Sequence, residues 1–119
     1  FPLEIFSSVK SCLPKDFLIG MRITGTEWEN NGINENEATI FAKELEKIWC
    51  HYVCFSSGGN THNPKIPWGP NYQVHLAIKN KKNTKMIVRT VGMITDPVYT
   101  IFIINRDADV VAMVRAFFI

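Results

Sequence analysis

The chain has 119 residues and a net charge of only +2, a length that indicates one domain. Apolar residues make up 46% and charged residues 20%, as in ordinary globular proteins. So weak a charge gives no support for binding to nucleic acid or to an anionic membrane. The apolar run Tyr99–Ile104 is far shorter than the roughly 20 residues needed to cross a bilayer. Three cysteines, an odd number without a disulfide-like spacing, favour a reducing, cytoplasmic compartment.

The first segments predict a helix over Pro2–Lys10 and then a strand over Phe17–Thr24. Apolar residues recur at helical spacing in the first segment. In the second, Ile19, Met21 and Ile23 share one face because strand side chains alternate. Arg22 therefore points to the opposite face.

The next element is a helix with a clear start signal. Asn34 is predicted to cap it, and Glu37 stands three residues on, where a capping box places its acidic partner. An apolar stripe follows at the spacing of one helix face. Its members are Ala38, Phe41, Ala42, Leu45 and Ile48.

The rest of the chain continues to alternate between strand and helix patterns. The predicted strands are Tyr52–Phe55, Met86–Val91 and Asp109–Val114, and the predicted helices are Tyr72–Asn80 and Asp96–Asn105. Residues Asn60–Asn71, rich in proline and glycine, are predicted to form a loop. Strands joined by helices indicate a parallel α/β sheet. Periodicity alone leaves two architectures open, a small doubly wound sheet and one half of an eight-stranded barrel.

Five motifs occur in an order and at a spacing that resemble the C-terminal half of the barrel in the Old Yellow Enzyme family. They are Met21–Thr24, Ser56–Gly59, Gly69–Val74, Val91–Pro97 and Ala108–Arg115. The resemblance covers essentially residues 1–119, with bacterial-type NADPH dehydrogenases and xenobiotic reductases as the nearest likeness. It implies half of a TIM (β/α)8 barrel, strands five to eight with their helices, in one partial domain. A complete barrel needs about 250 residues, so a fragment, a truncated gene product or a self-associating half-barrel would each explain the length.

The same resemblance implies FMN as cofactor, with NADH or NADPH as reductant. Arg22 matches the family arginine that reaches the pyrimidine edge of the flavin, where a positive charge stabilises the reduced form. Gly92 and Arg115 match the phosphate site after strands seven and eight. Gly92 allows close backbone approach, and Arg115 can grip phosphate in a bidentate contact. Without the resemblance, both arginines would be interpreted as surface ion-pairing groups and Gly92 as a turn residue.

Several residues depart from the family pattern. Val114 stands where a glycine usually precedes the strand-eight arginine, so its side chain is expected to crowd the phosphate. Arg89 replaces a small residue near the flavin, and Trp49 replaces a glycine that usually ends a helix. The helix that contains Val98–Ile104 is more apolar than an outer barrel helix should be, so a partner or self-association should cover it.

Other candidate sites are weaker. Cys50, His51 and Cys54 lack a fourth ligand and would not point one way along a strand, so no metal site is predicted. Trp68 and Tyr72 lie near the expected active face, where packing of the loop is favoured over a role in lining the substrate site. No catalytic residue is assigned, since the family's substrate-binding histidine lies on strand four.

The sequence supports three hypotheses of function. The first is an FMN-dependent NAD(P)H oxidoreductase of the ene-reductase type, which reduces enone-like small molecules and is completed by a missing N-terminal half-barrel. The second is a degenerate, non-catalytic half-barrel that self-associates or binds a partner. The third is a free-standing phosphate- or nucleotide-binding α/β module.

Overall fold

A computed structural model describes residues 1–62 and 65–118; Asn63 and Pro64 of the predicted loop and Ile119 lie outside them. The helices are α1 (Pro2–Ser11), α2 (Glu35–Lys47), α3 (Val74–Lys81) and α4 (Pro97–Arg106), followed by a short 3-10 helix at Arg115–Phe117. The strands are β1 (Gly20–Thr26), β2 (Tyr52–Ser57), β3 (Ile87–Thr90) and β4 (Val110–Val111). No helix in this part of the chain has the length and apolarity that a membrane crossing requires.

The four strands form one parallel sheet whose spatial order follows the chain, β1-β2-β3-β4. A doubly wound sheet reverses its strand order and carries helices on both faces. Sequential order with right-handed crossovers instead places every helix on one side, as in a (β/α)8 barrel. The sheet therefore has the architecture of a half-barrel, which settles the choice that periodicity left open.

The core lies between the sheet and its helices. Val53, Phe55 and Val88 from the strands are completely buried, as are Leu45 of α2 and Ile103 of α4. All belong to one apolar cluster, which also includes Phe6 of α1. Burying each large side chain of this kind contributes about 2 kcal/mol through the hydrophobic effect.

Local signals explain where two of the helices start. Asn34 accepts hydrogen bonds from the backbone N–H groups of Asn36 and Glu37, and the Glu37 carboxylate accepts one from the Asn34 N–H, which confirms the capping box. Asp96 accepts from the N–H groups of Val98 and Tyr99 at the start of α4. These caps satisfy N–H groups that a helix cannot pair internally.

The predicted extents of the first and fourth strands were wrong. The first strand begins at Gly20 rather than Phe17 and continues to Thr26, and both Phe17 and Leu18 are exposed. The fourth strand is only Val110–Val111, because its ladder with β3 covers just the pairs Arg89–Val110 and Thr90–Val111. The prediction that this strand continues to Val114 rested only on the apolar residues of the segment.

Candidate functional site

The face of the sheet without helices carries a row of polar side chains. Arg22 of β1 pairs in register with Cys54 of β2, which in turn pairs with Arg89 of β3. Residues in register on parallel strands point to the same face. This is the face that lies inside a closed barrel.

A cleft of about 740 Å³ opens along the C-terminal ends of the strands. All four residues predicted to lie at the cofactor site line it, three as contacts and Val114 as the side chain that crowds the phosphate, although they are spread over the chain. These are Arg22, Gly92, Val114 and Arg115. Arg22 comes from β1, Gly92 follows β3 and the other two follow β4. Ligands of parallel α/β folds bind at this end of the strands, so the fold supplies the place that the motifs imply.

The charge of the cleft has one sign. Three arginines line it, Arg22, Arg89 and Arg115, and among its described lining residues there is no aspartate or glutamate. No arginine in residues 1–62 and 65–118 is ion-paired to a carboxylate. A cleft lined by charge of one sign concentrates the field and attracts ligands of the opposite sign. The cleft is therefore suited to an anionic ligand.

Arg22 is held in place by a neighbouring strand. Its Nε donates a hydrogen bond of 3.1 Å to the Oγ of Ser56 at the end of β2. The remaining guanidinium donors stay available, because the side chain is exposed. Ser56 thus orients a group that can contact a ligand.

A second polar network was not foreseen from the sequence. Gln73, which immediately precedes α3, donates from Nε2 to the Oγ of Ser57 at 2.9 Å and to the Oη of Tyr72 at 2.7 Å. Burial raises the pKa of Tyr72, opposed by the nearby positive charges of Arg115 and Arg22 and by the Ser57 hydroxyl. Tyr72 therefore stays protonated at neutral pH. Gln73 is 4% exposed, and only its position in the Gly69–Val74 motif could have indicated a role.

Gly92 follows β3 with φ of +116°, and the next residue, Met93, has φ of +51°. A Cβ on Gly92 would approach the Cβ of Gln73 to 3.0 Å, tighter than ordinary van der Waals contact. Both the backbone conformation and the space therefore favour glycine. Positive φ at a non-glycine residue costs free energy, and such strain is often found at binding loops.

Arg115 does not end the fourth strand, as the sequence had suggested. Arg115 is exposed and begins the short 3-10 helix, with three residues between it and the end of β4 at Val111. Val114 has φ of −128°, so its backbone conformation does not require the glycine usual in the family. Its side chain is 64% exposed at the edge of the cleft.

The other sites considered from the sequence lie elsewhere or have structural roles. Cys50 and Cys54 are buried and unpaired, and His51 exchanges hydrogen bonds with Ile19. Within residues 1–62 and 65–118, no three His, Cys, Asp or Glu side chains cluster so as to hold a metal ion. Trp68 packs against Tyr72 with ring centroids 5.3 Å apart and is not part of the cleft, whereas Tyr72 lines it.

Comparisons of the sequence with known proteins identify the family of this chain. A model of the NADH:flavin oxidoreductase / NADH oxidase family matches residues 1–119. The "NADH oxidase" of Thermoanaerobacter brockii is 32% identical over 120 residues, which covers 97% of this chain and 18% of that protein. The "N,N-dimethylglycine/sarcosine dehydrogenase" of Chromohalobacter salexigens is 27% identical over 125 residues, or 98% of this chain and 18% of the relative. The chain thus spans about a fifth of the length of these relatives.

A solved structure supports the fold. The complex of 2-naphthoyl-CoA reductase with 2-naphthoyl-CoA superposes with a TM-score of 0.78 at 18% identity. The match covers 93% of this chain and 18% of that one. At this identity the likeness concerns the fold, and it agrees with a strand–helix half of a larger barrel.

Proposed function

Because the chain belongs to the NADH:flavin oxidoreductase / NADH oxidase family, we propose that it is the FMN-phosphate-binding half of an FMN-dependent NAD(P)H oxidoreductase. The observation that carries the proposal is the cleft that Arg22, Gly92 and Arg115 line, with no aspartate or glutamate among its described lining residues. The phosphate of FMN is a dianion and its ring gains negative charge on reduction, so this charge pattern fits the group.

The residues present would hold FMN at its two ends. Arg115 would bind the phosphate, with close approach of the backbone allowed at Gly92. Arg22, oriented by Ser56, would face the pyrimidine edge of the ring and stabilise negative charge there. Val114 would restrict the phosphate end, and its side chain would oppose tight binding there.

FMN, when bound, would take hydride from NADH or NADPH and pass it to an activated alkene such as an α,β-unsaturated carbonyl compound. The residues of this chain bind and orient the cofactor in this proposal, and the remainder of the barrel supplies the residues that act on the substrate. A cytoplasmic location belongs to the same proposal, since Cys12, Cys50 and Cys54 are all free.

The test is titration of the purified chain with FMN and with riboflavin, followed by flavin fluorescence. Binding of FMN should be at least tenfold tighter than binding of riboflavin, since only FMN carries the phosphate. Arg115→Met should remove most of that preference, and Arg106→Met, an exposed arginine of α4 outside the cleft, should preserve it. Failure of the wild-type chain to bind FMN at all would refute the proposal for this chain.

One observation favours a second function, self-association through α4. Val98, Ile101 and Phe102 lie on the outward side of this helix and are 78%, 63% and 44% exposed. An antiparallel pair of α4 helices from two copies would bury this stripe and place Asp96 at one end opposite Arg106 of the partner copy. Ten residues bury little area, so the pair would be weak compared with stable dimers.

A further inference from the structure

Three arginines line the cleft, and the proposed contacts with the cofactor use only Arg22 and Arg115. Arg89 is the third. It lies on the same face as Arg22 and in the same row, with Cys54 of the central strand between them. Neighbouring strands are about 4.8 Å apart, so the two arginine backbones lie roughly 10 Å apart at the same height. In a (β/α)8 barrel, side chains from alternate strands form one interior layer, and Arg22 and Arg89 occupy alternate strands.

Among the described residues, no carboxylate pairs with Arg89. Its guanidinium stacks over the ring of Tyr52, 5.6 Å from the centroid. Its Nε is buried and has no hydrogen-bond partner among the described residues. The Cys54 thiol raises the pKa of Arg89 more than burial lowers it, so the group stays charged at every accessible pH. Arg89 is partly exposed and lines the cleft, so an anionic ligand in the cleft can reach it and pair with its charge.

We propose that Arg89 is a third anion-binding residue of the cleft, which acts on the ring end of the ligand together with Arg22. The inference rests on the proposed function in taking that ligand to be FMN. Two guanidinium groups in one layer favour the reduced, negatively charged ring over the neutral oxidised ring. Arg115, which follows β4, would act on the phosphate in both states of the ring, so it does not produce this preference.

The experiment compares oxidised and dithionite-reduced FMN, titrated anaerobically against the wild-type chain and its variants. Arg89→Met keeps an unbranched apolar stem over Tyr52 and removes the charge, whereas Arg89→Lys keeps the charge. Arg89→Met should lose about tenfold more affinity for reduced FMN than for oxidised FMN. Arg89→Lys should keep most of the wild-type ratio, and Arg106→Met should keep all of it. Thermal unfolding of each variant identifies any loss that reflects folding.

The outcomes separate this inference from the proposed function. If the wild-type chain binds FMN and Arg89→Met shows the same ratio of reduced to oxidised affinity, the inference is wrong and the proposed function stands. If the wild-type chain binds no FMN, both the proposed function and the assignment of Arg89 to the flavin ring are wrong. Pyrophosphate then serves as the probe in calorimetry, and Arg89 is an anion-binding residue only if Arg89→Met weakens its binding.

Discussion

Gly92 and Gln73 are packed so closely that a methyl group on Gly92 would lie 3.0 Å from the Cβ of Gln73. The contact joins the loop after β3 to the start of α3, and through Gln73 to the hydroxyl groups of Ser57 and Tyr72. The conformation of the proposed phosphate loop is therefore coupled to the polar network on the neighbouring strand.

Gly92→Ala is expected to destabilise the chain by about 2 kcal/mol, because it adds a side chain at φ of +116° and crowds Gln73. FMN binding should weaken as well, since the loop must shift. Chemical denaturation and flavin titration measure the two effects. Gly69→Ala is the matched control, because a Cβ there meets nothing within 4 Å and should change both quantities little.

Val114→Gly should tighten FMN binding by about fivefold. Crowding of a ligand by one side chain costs about 1 kcal/mol, which corresponds to that factor in affinity. The φ of Val114 is negative, at −128°, and does not favour glycine, so the benefit is expected to come from space at the cleft. Val114→Leu should act in the opposite direction. Equal affinities for all three proteins would show that the phosphate lies elsewhere.

Trp49→Gly is expected to stabilise the fold by about 1 kcal/mol. Trp49 follows the end of α2 with φ of +64°, a conformation that costs a non-glycine residue about 1–2 kcal/mol. The side chain is 77% exposed, so little packing is lost on its removal. Urea unfolding measures the gain, and Trp68→Gly, which removes another exposed tryptophan, should not reproduce it. An unchanged or lower midpoint would mean that Trp49 is not strained.

Sequence patterns predicted the elements and their order because each helix and strand carries a local signal. The capping box at Asn34 and the Asp96–Pro97 start of α4 are contained within a few residues. The extent of β4 was not predictable in this way, since a strand ends where its neighbour stops pairing with it. β3 provides register partners only for Val110 and Val111, with further bonds from the N–H groups of Asp109 and Ala112 to the carbonyls of Val88 and Thr90.

The candidate site likewise contains residues that local motifs predict and residues whose roles depend on tertiary packing. Sequence motifs at the ends of the predicted strands were sufficient to predict three site residues, Arg22, Gly92 and Arg115. The structure brings these three residues to one cleft. Gln73 was missed because its contacts with Ser57 and Gly92 depend on how α3 packs against two strands. The exposed position of Arg115 in a 3-10 helix was likewise set by the early end of β4.

Asp109→Asn should lower stability at pH 7 by about 1 kcal/mol and make it less sensitive to acid. Burial raises the pKa of Asp109, but the Lys81 ammonium and the Val88 N–H outweigh it, so the pKa lies below 3.8. Its side chain is 32% exposed, and screening by solvent keeps the contribution modest. A carboxylate with a lowered pKa stabilises the fold above its unfolded pKa, and this stabilisation is lost as the pH falls through the folded value.

The difference between wild type and Asp109→Asn should therefore be present at pH 7 and shrink below about pH 3.8. Urea unfolding at a series of pH values measures it. Asp107→Asn is the control, because Asp107 has no ion pair within residues 1–62 and 65–118. A difference that stayed constant down to pH 3 would show that the Asp109 carboxylate is not the cause.

Ile101→Lys should shift the chain towards monomer if two copies pair through α4. Ile101 lies at the centre of the exposed stripe, so two lysines would face each other across the antiparallel pair, and like charges at such a position oppose association. Ile40→Lys on α2 is a close control, because Ile40 is 61% exposed and Ile101 is 63% exposed. Sedimentation velocity over a range of concentrations measures the association. Equal self-association of both variants would place the contact on another surface, since only one of them alters α4.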